Sequence, residues 1–157
     1  MNYSKRIVIL VILIGLVVAS TAFILINSAM DFEKSHSSSG VVTNIITSTD
    51  DAKEWDHTDM IVRKFAHVIE YALFGITASA LCLFISLVYR KQFYSYFITY
   101  ALFMAVLDEH IQSFSDRVSS TSDILLDFFG SLLGFAFVVT IYLVVRYFIK
   151  KKPLKTI

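Results

Sequence analysis

Three stretches of this 157-residue chain concentrate the side chains able to do chemistry. They read RKFAHVIEYALFG (63–75), DEHIQSFSDR (108–117) and SDILLDFFGSLLG (122–134). The first supplies two cations, an imidazole and a carboxylate: Arg63, Lys64, His67 and Glu70. Helical spacing sets Lys64, His67 and Tyr71 on one face, with Arg63 and Glu70 at its edge. The second holds Asp108 and Gln112 four residues apart, with Glu109 and Arg117 nearby. The third holds Asp123 and Asp127 four apart, and Gly130 and Gly134 continue that face.

Three kinds of chemistry suit these residue types. Arg63, Lys64 and Arg117 suit an anionic group, because a guanidinium fork donates paired hydrogen bonds to phosphate. Glu70, Asp108 and Asp123 would then hold the cations in position. Alternatively, His67 with Glu70 or Asp108 is a candidate catalytic acid–base pair. A divalent metal held by His67, Glu70, Asp108 and Asp123 is a third option, since mixed imidazole and carboxylate donors suit several ions. The chain has no nucleophile elbow, no H-E-x-x-H and no other specific catalytic signature. The non-enzymatic reading is favoured. No cofactor is expected, with the divalent metal left open.

The elements that must position these residues are membrane spans. The chain is 56% hydrophobic and only 17% charged. A soluble domain of this size has too little interior to hide so much apolar side chain. The expectation is one all-α domain over 1–157, a bundle of four transmembrane helices at about 7–27, 65–88, 92–112 and 123–146, since ~20 residues cross the hydrocarbon. The first run is longer than a signal peptide's apolar core and reads as a retained span. The single cysteine, Cys82, lies in an apolar run and reads as packing.

Charge orients the bundle. Lys5, Arg6, Arg90, Lys91, Arg146 and Lys150 to Lys152 lie on segments without acids, so both termini are expected in the cytoplasm. Counting inward at ~1.5 Å per residue, Glu70, Asp108, Glu109, Gln112 and Asp127 reach one outer plane. Arg63, Lys64, His67, Arg117 and Asp123 fall at or beyond it. The set predicts an outward-facing polar cup above tightly packed helices, with GSLLG as a close-approach motif. Paying to bury so many charges favours a site over a scaffold. The inner halves of spans two to four carry no charge, which disfavours a transporter.

The stretch 28–62 reads as an irregular outer loop rich in Ser, Thr and Asp. Within it, VVTNII (41–46) is expected along the membrane surface and Trp55 as an interfacial anchor. DHTD (56–59) is expected to cap the helix of span two. The expected partner is a membrane lipid. Nucleic acid is not expected, and homo-oligomerisation is left open.

These three motifs, in this order on four spans, resemble the VanZ-like family of bacterial membrane proteins. The first matches a pattern R-K-x-x-H-x-x-E-Y-x-x-L/F-G through Arg63, Lys64, His67, Glu70, Tyr71 and Gly75. The second matches D-E-x-x-Q-x-F through Asp108, Glu109, Gln112 and Phe114, with Arg117 as the following arginine. The third matches through Asp123, Asp127 and Gly130. Two departures stand out. Many members have histidine just before the glutamine, where this chain has Ile111 and places His110 one residue early. Many also have three residues between the Phe and the Arg, where this chain has two. The resemblance implies a role in the cell envelope at the cytoplasmic membrane, and with it a lipid-linked cell-wall precursor beside a membrane lipid as the expected partner. It further implies tolerance of teicoplanin-like glycopeptides or other envelope-active antibiotics.

Overall fold

A computed structural model of the chain describes residues 2–29, 32–47, 52–90, 92, 94–114 and 120–151, without the side chains of 32–38 and 52. Five helices follow one another: α1 (Tyr3–Ser28), α2 (Phe32–Ile46), α3 (Ala52–Tyr89), α4 (Tyr94–Gln112) and α5 (Thr121–Lys151). Among the described residues there is no strand. Three helices, α1, α3 and α5, are long and apolar enough to cross a membrane. Their outward faces carry large apolar side chains such as Val11, Phe23, Phe129 and Phe137. Such a surface is untenable in water and ordinary in lipid.

Side-chain contacts fix the helix directions. Ser20 pairs with Thr77 at 3.0 Å and Asn27 with Glu70 at 3.0 Å, so α1 and α3 run antiparallel. Thr21 pairs with Tyr100 at 2.7 Å and Ser28 with the Asp108 carbonyl at 3.0 Å, so α1 and α4 run parallel. Lys64 meets Asp123 and His67 meets Asp127, so α3 and α5 run parallel. The result is an up-down-up-down arrangement with α3 packed against all four other helices.

The tightest contact is between α3 and α5, and glycine makes it. A Cβ on Gly75 would collide with the carbonyl of Ser131, and one on Gly134 with the carbonyl of Ala72. A Cβ on Gly130 would lie 2.9 Å from the Val68 carbonyl oxygen. Backbone therefore meets backbone, the close approach expected where small residues line a helix interface. Below the polar residues, Tyr71, Phe74, Phe97, Ala101, Met104 and Ala105 form the buried core. Phe97 stacks on Phe135 at 4.9 Å, and Phe74 tilts against Tyr100 at 5.3 Å.

The expected irregular loop at 28–62 is mostly helix, which corrects the sequence reading. α2 occupies Phe32–Ile46, and α3 starts at Ala52, well before the predicted start near 65. The physical reason is tertiary contact. Gly40 lies against the Trp55 ring, and Trp55 Nε1 donates to Asn44 Oδ1 at 2.8 Å. Thr43, fully buried, donates to Asp59 Oδ1 at 3.2 Å. Asp59 Oδ2 lies 3.3 Å from Arg63 Nε one helical turn on. Asp59 is thus an interior helix residue that docks α2, not the cap of span two. Trp55 likewise serves the α2–α3 contact. The apolar part of VVTNII, namely Val41, Val42, Ile45 and Ile46, faces away from α3 and is exposed.

Candidate functional site

At the end of the bundle where α3 and α5 begin to touch, polar side chains from three helices meet. Parallel packing of α3 on α5 gives two successive rungs. The outer rung is Lys64 with Asp123, Nζ to Oδ1 at 3.2 Å, both partly exposed. One turn deeper, His67 of α3 faces Asp127 of α5. The antiparallel α4 brings Asp108 to the same point.

His67 Nδ1 lies 3.8 Å from Asp108 Oδ2 and 3.8 Å from Asp127 Oδ1. These gaps are too long for hydrogen bonds. Asp108 and Asp127 are only 1% and 2% exposed, while the His67 side chain keeps 27% of its surface open. The ring is therefore the partly open wall of an otherwise buried pair of carboxylates. His67 Nδ1 and Asp108 Oδ1 are shielded from solvent and make no hydrogen bond. Gln112 Nε2 donates to Asp108 Oδ2 at 3.1 Å, which orients that carboxylate from one turn away. Beneath the cluster, the Tyr71 hydroxyl donates to the Met104 carbonyl at 3.2 Å.

The other predicted residues have separate duties. Glu70 accepts a hydrogen bond from Asn27 Nδ2 and so joins α1 to α3. Glu109, 3% exposed, accepts from the backbone amide of Ser120 just before α5. That contact ties the end of α4 to the start of α5. Arg63 is engaged by Asp59. Arg117 lies outside the described residues.

Of the metal candidates His67, Glu70, Asp108 and Asp123, the structure brings together His67 and Asp108. The group whose ligand atoms lie within 4.8 Å of one another is His67, Asp108 and Asp127. Asp123 sits one turn too far out, where Lys64 meets it, and Glu70 points to α1. The pairing of His67 with Glu70 gives way in the same manner to His67 with Asp108 and Asp127. His110, one place early in its motif, is exposed and rests edge-on against Phe114 at 5.1 Å. It takes no part in the cluster.

Sequence reasoning missed Asn27 and Ser28, and it gave Thr43 and Asp59 other roles, in a surface segment and a helix cap. The first two are legible in hindsight as polar residues ending an apolar run at the depth of Glu70. Gly40, Thr43 and Asn44 share one helical face, spaced i, i+3 and i+4, and that was the signal for a docked helix.

No curated protein and no solved structure matches the chain. The VanZ/LLP1 family model matches residues 9–145, a stretch that includes the core of all five helices and every residue of the cluster. With apolar helices of membrane-spanning length and a match over most of its length, the chain is a membrane protein of the VanZ/LLP1 family.

Proposed function

We propose that this protein acts in the bacterial cell envelope by binding an anionic group of a membrane lipid or lipid-linked cell-wall precursor. Binding takes place in a polar cup that opens outward, and it contributes to tolerance of glycopeptides such as teicoplanin or of other envelope-active antibiotics. In this reading α1, α3, α4 and α5 all cross the membrane, with both termini in the cytoplasm. α4, with 19 residues, is ~28 Å long and just spans the hydrocarbon.

One observation carries the reading. Arg63 and Lys64 stand at the rim of the cluster, 27% and 46% exposed, each set in place by a carboxylate that fixes its direction. Cations held in advance lose less freedom on gripping an anion. The exposed apolar face of α2 beside them suits a surface where lipid headgroups are at hand. Arg117, close in sequence to the cup, adds a third cation in this proposal.

The test uses the full chain in detergent with a short-chain polyprenyl phosphate as probe and the uncharged polyprenol as comparison. The phosphate is expected to bind and the alcohol to bind weakly. Changing Arg63→Gln and Lys64→Ala together is expected to weaken the phosphate ~10-fold or more, as loss of charge-assisted hydrogen bonds would. Equal binding of the two probes, or no effect of the double change in a folded protein, refutes the reading.

A second reading is favoured by the imidazole set between two buried carboxylates: a membrane-embedded hydrolase or transferase on a lipid-linked substrate. Turnover of the polyprenyl phosphate, followed by mass spectrometry and lost in His67→Gln, separates catalysis from binding.

A further inference from the structure

We propose that His67, Asp108 and Asp127 form a binding site for one divalent transition-metal ion, of the Zn2+ or Mn2+ class. The proposal stands on these three residues and not on the identity of any lipid. Four observations converge on it.

The first is spacing. Nδ1 of His67 is 3.8 Å from a carboxylate oxygen on each aspartate. Two protein donors bound at ~2.1 Å in a tetrahedral shell lie ~3.4 Å apart. Small side-chain rotations close the difference. An imidazolium clamped directly by either carboxylate would instead sit at ~2.8 Å.

The second is the orphaned atoms. His67 Nδ1 and Asp108 Oδ1 are solvent-shielded and without hydrogen bonds, in a residue environment where nearly all buried polar atoms find a partner. Asp108 as a residue is 1% exposed. The ring nitrogen that lacks a partner is the one turned toward both carboxylates.

The third is charge. Two carboxylates, Asp108 and Asp127, lie buried side by side against the ring of His67. The nearby cations Arg63 and Lys64 are engaged by Asp59 and Asp123. A single 2+ ion balances the pair without drawing either cation inward.

The fourth is support and access. Gln112 orients Asp108 through a 3.1 Å hydrogen bond, the outer-layer contact that metal-binding carboxylates commonly have. The glycine-lined contact of α3 with α5 holds His67 and Asp127 at a fixed separation. The His67 side chain keeps 27% of its surface exposed, so the cluster lies close to the surface from which an ion would enter. A nitrogen donor among the three favours Zn2+ or Mn2+ over Mg2+ and Ca2+, which take oxygen ligands.

The experiment uses the full chain purified in detergent through a tag free of histidine. After treatment with a chelator and gel filtration, Zn2+, Mn2+, Mg2+ and Ca2+ are each titrated by calorimetry, and bound metal is counted by mass spectrometry. About one Zn2+ or Mn2+ per chain is expected, with a rise in unfolding temperature as the ion is added. Mg2+ and Ca2+ are expected to bind far more weakly. Asp127→Asn and His67→Gln should each weaken Zn2+ by ~100-fold or more, beyond the ~10–100-fold typical of outer-layer changes. Asp123→Asn, one turn away on the same face, should leave Zn2+ binding unchanged. Co2+ added to the wild-type chain should give visible absorption bands of a bound ion, which checks the site without any substitution. Absence of a saturable Zn2+ or Mn2+ event in the folded wild-type protein overturns the site. Equal loss in Asp123→Asn and Asp127→Asn also overturns it. Metal binding with no polyprenyl phosphate binding would sink the proposed function while leaving this site standing.

Discussion

Adding one methyl group at Gly75 or Gly134 should do more damage than its size suggests. Both residues sit where α3 meets α5, and a Cβ there meets backbone, not a side chain that can turn aside. At Gly75 the new carbon would lie 2.9 Å from the Ser131 carbonyl carbon, and at Gly134 2.7 Å from the Ile76 nitrogen. Ordinary contact needs the helices to part by ~1 Å, and overpacking of this kind costs ~1–3 kcal/mol. Rigid backbone on both sides puts the cost near the upper end. Alanine returns ~1 kcal/mol of helix propensity, leaving a net loss of ~2 kcal/mol. For a chain of this length that is a fall in unfolding temperature of ~4–8 °C. Gly15 is the control, because nothing lies within 4 Å of its added Cβ. Gly15→Ala should be neutral or slightly stabilising. Unfolding in detergent is followed for all three variants by fluorescence-detected gel filtration after heating. If Gly75→Ala and Gly134→Ala unfold no earlier than Gly15→Ala, the backbone contact is not what holds α3 to α5. Parting these helices also widens the gap between His67 and Asp127. Zn2+ affinity measured well below the unfolding temperature should therefore drop with stability in Gly75→Ala and not in Gly15→Ala.

Two further outcomes test how the surroundings are built. Asp59→Ala removes the fully buried acceptor shared by Thr43 and Arg63, at a cost of ~1–3 kcal/mol for the partners left behind. Amide hydrogen exchange across 40–46 should speed up selectively, and unchanged protection there would show that α2 is held by other contacts. The Lys64–Asp123 pair is partly exposed on both sides, so a double-mutant cycle on unfolding should give a coupling of no more than ~1 kcal/mol. A coupling several times larger would mean that the outer rung is drier than its exposure indicates.

The main helices were legible because a long apolar run reads as a helix able to span hydrocarbon, and α1, α3 and α5 have that length and composition. Predicted runs at 7–27, 65–88, 92–112 and 123–146 fall within or close to α1, α3, α4 and α5. The same rule hid the first part of α3. That rule finds the apolar stretch of a helix, while the helix itself continues wherever its backbone stays paired. Here Ala52 to Lys64 remains helical with Trp55 and Asp59 docked on α2. α2 was hidden for a related reason. The run SHSSSG has poor helix propensity, since serine competes for its own backbone and glycine adds entropy. Packing of Gly40, Thr43 and Asn44 against α3 overrides that preference.

The candidate site shows where sequence spacing stops. Asp123 and Asp127 are equivalent by periodicity, since both lie on the face that continues to Gly130 and Gly134. Depth separates them, and depth depends on the register between α3 and α5. That register is set by the glycines: Gly130 against Val68, and Gly134 against Ala72 and Ile76. Once those backbones touch, the next turn outward must place Asp127 at His67, and the turn after that must place Asp123 at Lys64. The two aspartates thus take opposite roles, one buried beside an imidazole and one half-exposed beside an ammonium. As a ruler between helices, and not only a face along one helix, the glycine motif puts Asp127 and not Asp123 beside His67. A glycine contact that looks purely structural is in this protein the element that decides which carboxylate reaches His67.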